Sequence, residues 1–188
     1  MANKVKFGLS NVWCFPITGY AEDAETYGPA FAIPGAVNLA MAASDTTNTF
    51  YADDMAYVID SSNSGYDGDL EIALLPEDFK TKILGQRKDD NGLLVESAND
   101  KRSEFALTFE FQGDQNATRH LFYRCSANRP DIDAATATET RNPDTDTFTL
   151  RAVARLSDKL IKASADSTSA KYATWNTAPV VPVFTPEG

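Results

Sequence analysis

The sequence predicts a mainly β fold: a sandwich or barrel of two packed sheets, with one short flanking α-helix and long loops. Three observations predict it. Apolar and polar residues alternate with period two in segment after segment, the spacing of a half-buried strand. Gly, Pro, Asn, Asp and Ser gather between those segments as turn chemistry. A paired start and stop signal for a helix stands out once, around residues 76–85.

Taken in order, Val5, Phe7 and Leu9 alternate with Lys4, Lys6 and Gly8, and the run through residues 12–15 continues as a strand until Pro16. Residues 31–37 are apolar but broken at Pro34-Gly35, a turn between two strands, the second extending over residues 38–43. Residues 55–59 form a short strand rich in β-formers, and residues 60–65 carry loop chemistry. Leu70, Ile72 and Leu74 then alternate with Asp69, Glu71 and Ala73.

Pro76 suits the first helical position, where its missing N–H costs nothing. Glu77 and Asp78 complement one end of the helix dipole, Lys80 and Lys82 the other. Phe79 and Ile83 share a face, and Gly85 closes the helix in the left-handed conformation. Residues 86–103 are a charged surface excursion. Phe105, Leu107, Phe109 and Phe111 alternate most cleanly of all. With Leu121, Tyr123 and Cys125 they read as an antiparallel hairpin, turned at residues 112–116. Residues 128–146 are turn-rich, and Phe148, Leu150, Ala152 and Ala154 mark another strand. Residues 163–170 read as a mobile loop, with a helical turn following around Tyr172 and Trp175. Residues 177–186 are too proline-rich for a central strand and read as an extended apolar arm. The domain reading is therefore 1–162 for the β domain and 163–188 for the loop and arm.

The 188 residues suffice for one domain with a real core. The apolar runs are too short to cross a bilayer, and the N-terminus lacks a signal peptide's apolar stretch, so the expectation is a protein kept in the cytoplasm or released from it by another route. Cys14 and Cys125 then read as free, buried thiols. Net charge is −10 and uneven: residues 1–115 hold 8 Lys/Arg against 19 Asp/Glu, and residues 116–188 hold 9 against 8. No basic stretch suited to gripping phosphates appears.

Tyr51-Ala52-Asp53-Asp54 matches the metal-holding tetrapeptide of reverse transcriptases. The chain is too short for a polymerase palm and fingers, too acidic for template and primer, and has no βαβ pattern to place a third carboxylate. The plainer reading is an acidic strand or loop tip with Phe50 and Tyr51 packed beside it. Asp60, Ser62, Ser64, Gly65 and Glu71 imitate a calcium loop with too few carboxylates, set between strands instead of helices. His120 is the only histidine and reads as an ordinary strand residue. No nucleophile elbow or phosphate loop occurs. Catalytic, cofactor-binding and metal residues are all read as none.

The layout of several blocks resembles the phi13-type family of phage major tail proteins. The blocks are residues 4–12, 33–37, 50–57 (Phe50-Tyr51-Ala52-Asp53-Asp54-Met55-Ala56-Tyr57), 63–72, 75–79, 105–111 and 117–120, spanning about residues 1–160 in order and spacing. The resemblance implies a structural virion protein. Its subunits would close into hexameric rings that stack into a tail tube, assembled in the bacterial host cytoplasm, through which DNA passes without specific binding. It implies as partners further copies of the chain, a tape measure protein, a tail terminator and distal tail or baseplate proteins. An acidic bore would let DNA slide. Residues 44–64 become a long excursion reaching a neighbouring subunit or ring, with Phe50, Tyr51, Asp53, Asp54 and Tyr57 as its contact residues. Two alternatives stay open: the tube of a contractile injection machine, and a monomeric sandwich that binds glycans through Trp13, Trp175 or Tyr66.

Overall fold

The computed structural model describes residues 3–21, 24–113, 115–132, 134, 136 and 143–184. Of the predicted turns and arm, Asp114, residues 133, 135 and 137–142, and the last four residues lie outside them.

The fold is mainly β, with one large antiparallel sheet and one small one. The strands are β1 (Lys6–Ala21), β2 (Ala24–Tyr27), β3 (Phe31–Ala32), β4 (Ala36–Ala52), β5 (Met55–Ile72), β6 (Arg87–Lys88), β7 (Leu94–Val95), β8 (Phe105–Gly113), β9 (Thr118–Ala127), β10 (Asp146–Val153) and β11 (Lys162–Asp166). The large sheet runs β2-β1-β8-β9-β10-β5-β4, with β3 added to β1 and β11 to β9. β6 and β7 pair as the small sheet inside the charged excursion. The sheet curls, because β1 and β4, far apart in strand order, contribute Val12 and Leu39 to one core.

Helix α1 (Glu77–Lys82) plugs that core. Phe79 is fully buried, with ring centroids 5.0 Å from Phe148 and 5.5 Å from Phe105. Pro76 is the cap residue, extended at ψ 146°, so the helix starts one residue later than the sequence predicts. Gly85 takes the expected left-handed conformation, φ +80°.

The β8–β9 hairpin forms as predicted, but its ladder slips between Phe105/Cys125 and Leu107/Phe122. The slip turns Phe122 and Cys125 into the same core, where strict alternation would separate them. Cys14 and Cys125 are buried free thiols on β1 and β9, the strands that flank β8.

Four sequence readings are corrected. β1 continues past Pro16, because Pro16 still pairs with Phe105 and its carbonyl accepts from Gly28 N–H at 2.8 Å. Residues 60–65 are not a loop but the middle of β5. Residues 162–166 are strand β11, antiparallel to β9, where a mobile loop was expected. The polar face of β8 is not solvated: Ala106, Thr108 and Glu110 are all buried.

The cover over that second face comes from the C-terminal segment, which includes the expected helical turn, Tyr172–Thr174. Trp175 packs with Phe15, Ala106, Leu121 and Tyr123, and its Nε1 donates to the His120 carbonyl at 3.2 Å. Arg119 donates to Glu110 at 2.7 Å and to the Tyr172 carbonyl at 2.6 Å. The Tyr123 hydroxyl donates to the Val180 carbonyl at 2.7 Å. The proline-rich arm therefore docks on its own chain as far as Val180, while Val183 and Phe184 are exposed.

Candidate assembly interface

β4 and β5 form one long hairpin with two unlike halves. In the inner half, residues 36–43 pair with residues 66–72, and β5 also pairs with β10 from Tyr66↔Ala152 to Ile72↔Asp146. In the outer half, residues 45–52 pair with residues 55–63 alone. Gly65 marks the departure from the sheet. Its φ is +108°, and a Cβ there would sit 2.0 Å from the Ala152 carbonyl oxygen. The Asn63 side chain accepts its N–H at 2.9 Å.

Beyond Gly65 the ribbon extends about 30 Å, at ~3.3 Å per residue. Every residue from Met55 to Ser64 is exposed. A lone two-stranded ribbon is marginal in water. Its internal side-chain contacts are few: Thr47 Oγ1 meets Ser61 Oγ at 3.4 Å, and Ser62 Oγ donates to the Thr46 carbonyl at 3.5 Å.

The end of the ribbon explains the Tyr51–Asp54 stretch. Asp53 and Asp54 have φ +53° and +58° and join Ala52 to Met55. Two consecutive positive φ values make a type I′ turn, the turn whose twist suits a two-residue hairpin, and Asp tolerates that region better than most residues. A register shift between Phe50 and Tyr51 leaves Tyr57 as the extra residue. All five residues singled out from the sequence thus gather at this tip. Phe50 and Tyr51 do not pack beside it; they are 61% and 68% exposed, with Met55, Tyr57 and Ile59 similarly bare. The strand-rich context also separates Asp60 from Glu71: both lie on β5, about 35 Å apart along an extended strand, so the calcium-loop spacing cannot close around an ion. Among the described residues no group of three His, Cys, Asp or Glu is placed to hold a metal.

At the base of the same hairpin lies a cleft of about 160 Å³ that the sequence reading missed. Leu39 and Met41 of β4, Phe109 of β8 and Phe122 of β9 supply apolar walls. Lys6 of β1 lies over the Phe111 ring and Lys162 of β11 over the Tyr66 ring, each 5.2 Å from the centroid. Neither lysine forms an ion pair among the described residues. His120 stacks on Phe109 at 5.2 Å with an interplanar angle of 14°. Burial, then the charges of Lys162 and Lys6, push its pKa down to about 4, so the ring is neutral near pH 7. Lys6 and Lys162 are remote in sequence, and only the β1–β8–β9–β11 pairing brings them together.

An exposed aromatic platform is not present where the glycan alternative needs one. Trp175 is 3% exposed, and Trp13 and Tyr66 are partly buried against the two cores.

Residues 3–180 match the family model described as phage tail tube protein. Among curated proteins, none matches the chain.

Proposed function

The chain belongs to the phage tail tube protein family, and on that premise we propose that its copies close into rings, hexameric as in the major tail proteins it resembles, which stack into the tube that carries DNA to the host. It is a structural component of the virion tail, built to meet copies of itself and other tail proteins. The tape measure protein, the tail terminator and the distal tail or baseplate proteins are the partners proposed for the tube's inside and ends.

The observation that carries this reading is the outer half of the β4–β5 hairpin. Its ten-residue outer strand segment, Met55 to Ser64, is exposed at every residue, and its end exposes aromatic and aliphatic side chains together. A ribbon of this kind is marginal alone, and an exposed apolar end gains stability by packing on a partner. Ring closure supports the reading from the other side: it covers sheet edges that would otherwise template aggregation. Charge supports it as well. Residues 7–79 contain no Lys or Arg and 12 Asp/Glu, so any part of this stretch facing a bore repels DNA and lets it slide. In this arrangement the segment after β11 straps the sheet as far as Val180, and the exposed Val183 and Phe184 meet a neighbour.

Negative-stain microscopy of concentrated protein tests the proposal. Rings or tubes are expected from the native chain. A variant with residues 45–63 replaced by Asn-Gly should keep the native melting temperature and form none. A native chain that stays monomeric at every concentration overturns the reading.

A further inference from the structure

We propose that the socket for the hairpin tip is the Lys6–Lys162 cleft of a second copy of the chain. The inference rests on the tube reading and names the contact that would join its subunits.

The two surfaces match in chemistry. The tip presents Asp53 and Asp54 at a tight turn, with Phe50 and Met55 exposed immediately behind them. The cleft has an apolar floor about the size of one large side chain, with two lysine ammonium groups on its rim. His120, which also lines it, is neutral near pH 7 and adds no charge to the rim. Inserting Phe50 or Met55 buries apolar surface on both partners. The two aspartates then lie at the depth of the two lysines, where complementary charge fixes register and partner.

The occupant must come from another molecule. Met41 lines the cleft and lies on the same strand as the tip, but Asp53 is 12 residues further out. At ~3.3 Å per residue that places the chain's own tip about 40 Å from its own cleft. Tip and cleft are different surfaces, so the contact is head-to-tail, and each copy that receives a tip offers its own tip onward.

Two reciprocal variants test this. One carries Asp53→Lys with Asp54→Gly, the glycine keeping the turn; the other carries Lys6→Glu with Lys162→Glu. Each alone sets like charges against each other, and its critical concentration for assembly should rise about tenfold or more. Mixed one to one they should assemble again, because the lysine tip meets the glutamate cleft and the aspartate tip meets the lysine cleft. Circular dichroism and melting confirm that each variant is folded. Should the lysine at the turn lower the melting point, Asp53→Asn with Asp54→Gly replaces it and should show the same weakened assembly. Variants that assemble like the native chain, or a mixture that stays unassembled while the native chain forms tubes, overturn the socket and leave the tube reading standing. A native chain that never assembles overturns both.

Discussion

Arg155 and Glu25, 130 residues apart, meet at 3.2 Å with side chains only 6% and 0% exposed. The guanidinium also holds Asp158 at 3.1 Å and lies over the Tyr123 ring, while the carboxylate accepts the Leu156 N–H at 2.8 Å. This knot ties β2 to the chain just after β10, at the edge of the face that the C-terminal segment covers.

Removing one partner should therefore cost far more than replacing both. Arg155→Met leaves a buried carboxylate unpaired and should destabilise by roughly 3–5 kcal/mol. The double variant Glu25→Leu with Arg155→Met should recover much of that loss in denaturant melts. Burial opposes the charge on Glu25, but the Leu156 N–H, its own backbone N–H and Arg155 outweigh it, so the carboxyl is held below its ordinary value. The sign follows from linkage: a depressed carboxyl stabilises fully above the unfolded value of about 4.3 and loses that contribution as pH falls through the folded value.

Gly65→Ala should break the fold where the hairpin leaves the sheet. The added Cβ meets backbone oxygen at 2.0 Å, and φ +108° is closed to alanine. A loss of more than about 2 kcal/mol is expected. Amide exchange should speed up first along the β5–β10 pairing.

His120 gives a pH readout without assignment work, because it is the only histidine. Its NMR titration should centre near 4. Lys162→Ala should raise that midpoint by removing a positive neighbour. A lowered histidine pKa means the unfolded chain takes up the proton first, so stability should fall as pH drops from about 6.5 to about 4. His120→Phe should flatten that part of the profile.

Proteases should report the ribbon's state. Residues 7–79 hold no Lys or Arg, so trypsin has no site on it, whereas chymotrypsin has Phe50, Tyr51 and Tyr57. Chymotrypsin should nick the free subunit there quickly and leave the body intact. Assembled protein should resist the same treatment.

Strands packed on one core were legible because their alternation records that core: Phe105–Phe111 and Phe148–Ala152 lie where their pattern puts them. The helix was legible through its end charges and the Phe79–Ile83 pair, both buried. Residues 60–65 were misread because residues 60–64 are exposed on the ribbon, so no core selects apolar residues in that stretch and Asp, Ser and Asn look like a loop. Residues 163–166 were misread for a related reason: β11 holds small residues that fit beside β9 without a large apolar stripe. The burial of Thr108 and Glu110 depends on Asn176 and Tyr172, more than 60 residues away, and no local pattern carries that information. At the interface, the tip residues were visible as a block, but the Lys6–Lys162 cleft exists only once four strands are paired.

The buried cysteines have a practical consequence. Cys14 and Cys125 both have pKa values raised by burial, so near neutral pH neither offers the exposed thiolate that alkylating reagents need. A single cysteine placed at position 61, on the exposed shaft of the ribbon and away from the tip, would then be a unique reactive handle in an otherwise native chain. Spin labels or fluorophores attached there would report on the ribbon's surroundings as tubes grow, without any need to strip the core of its own sulfur.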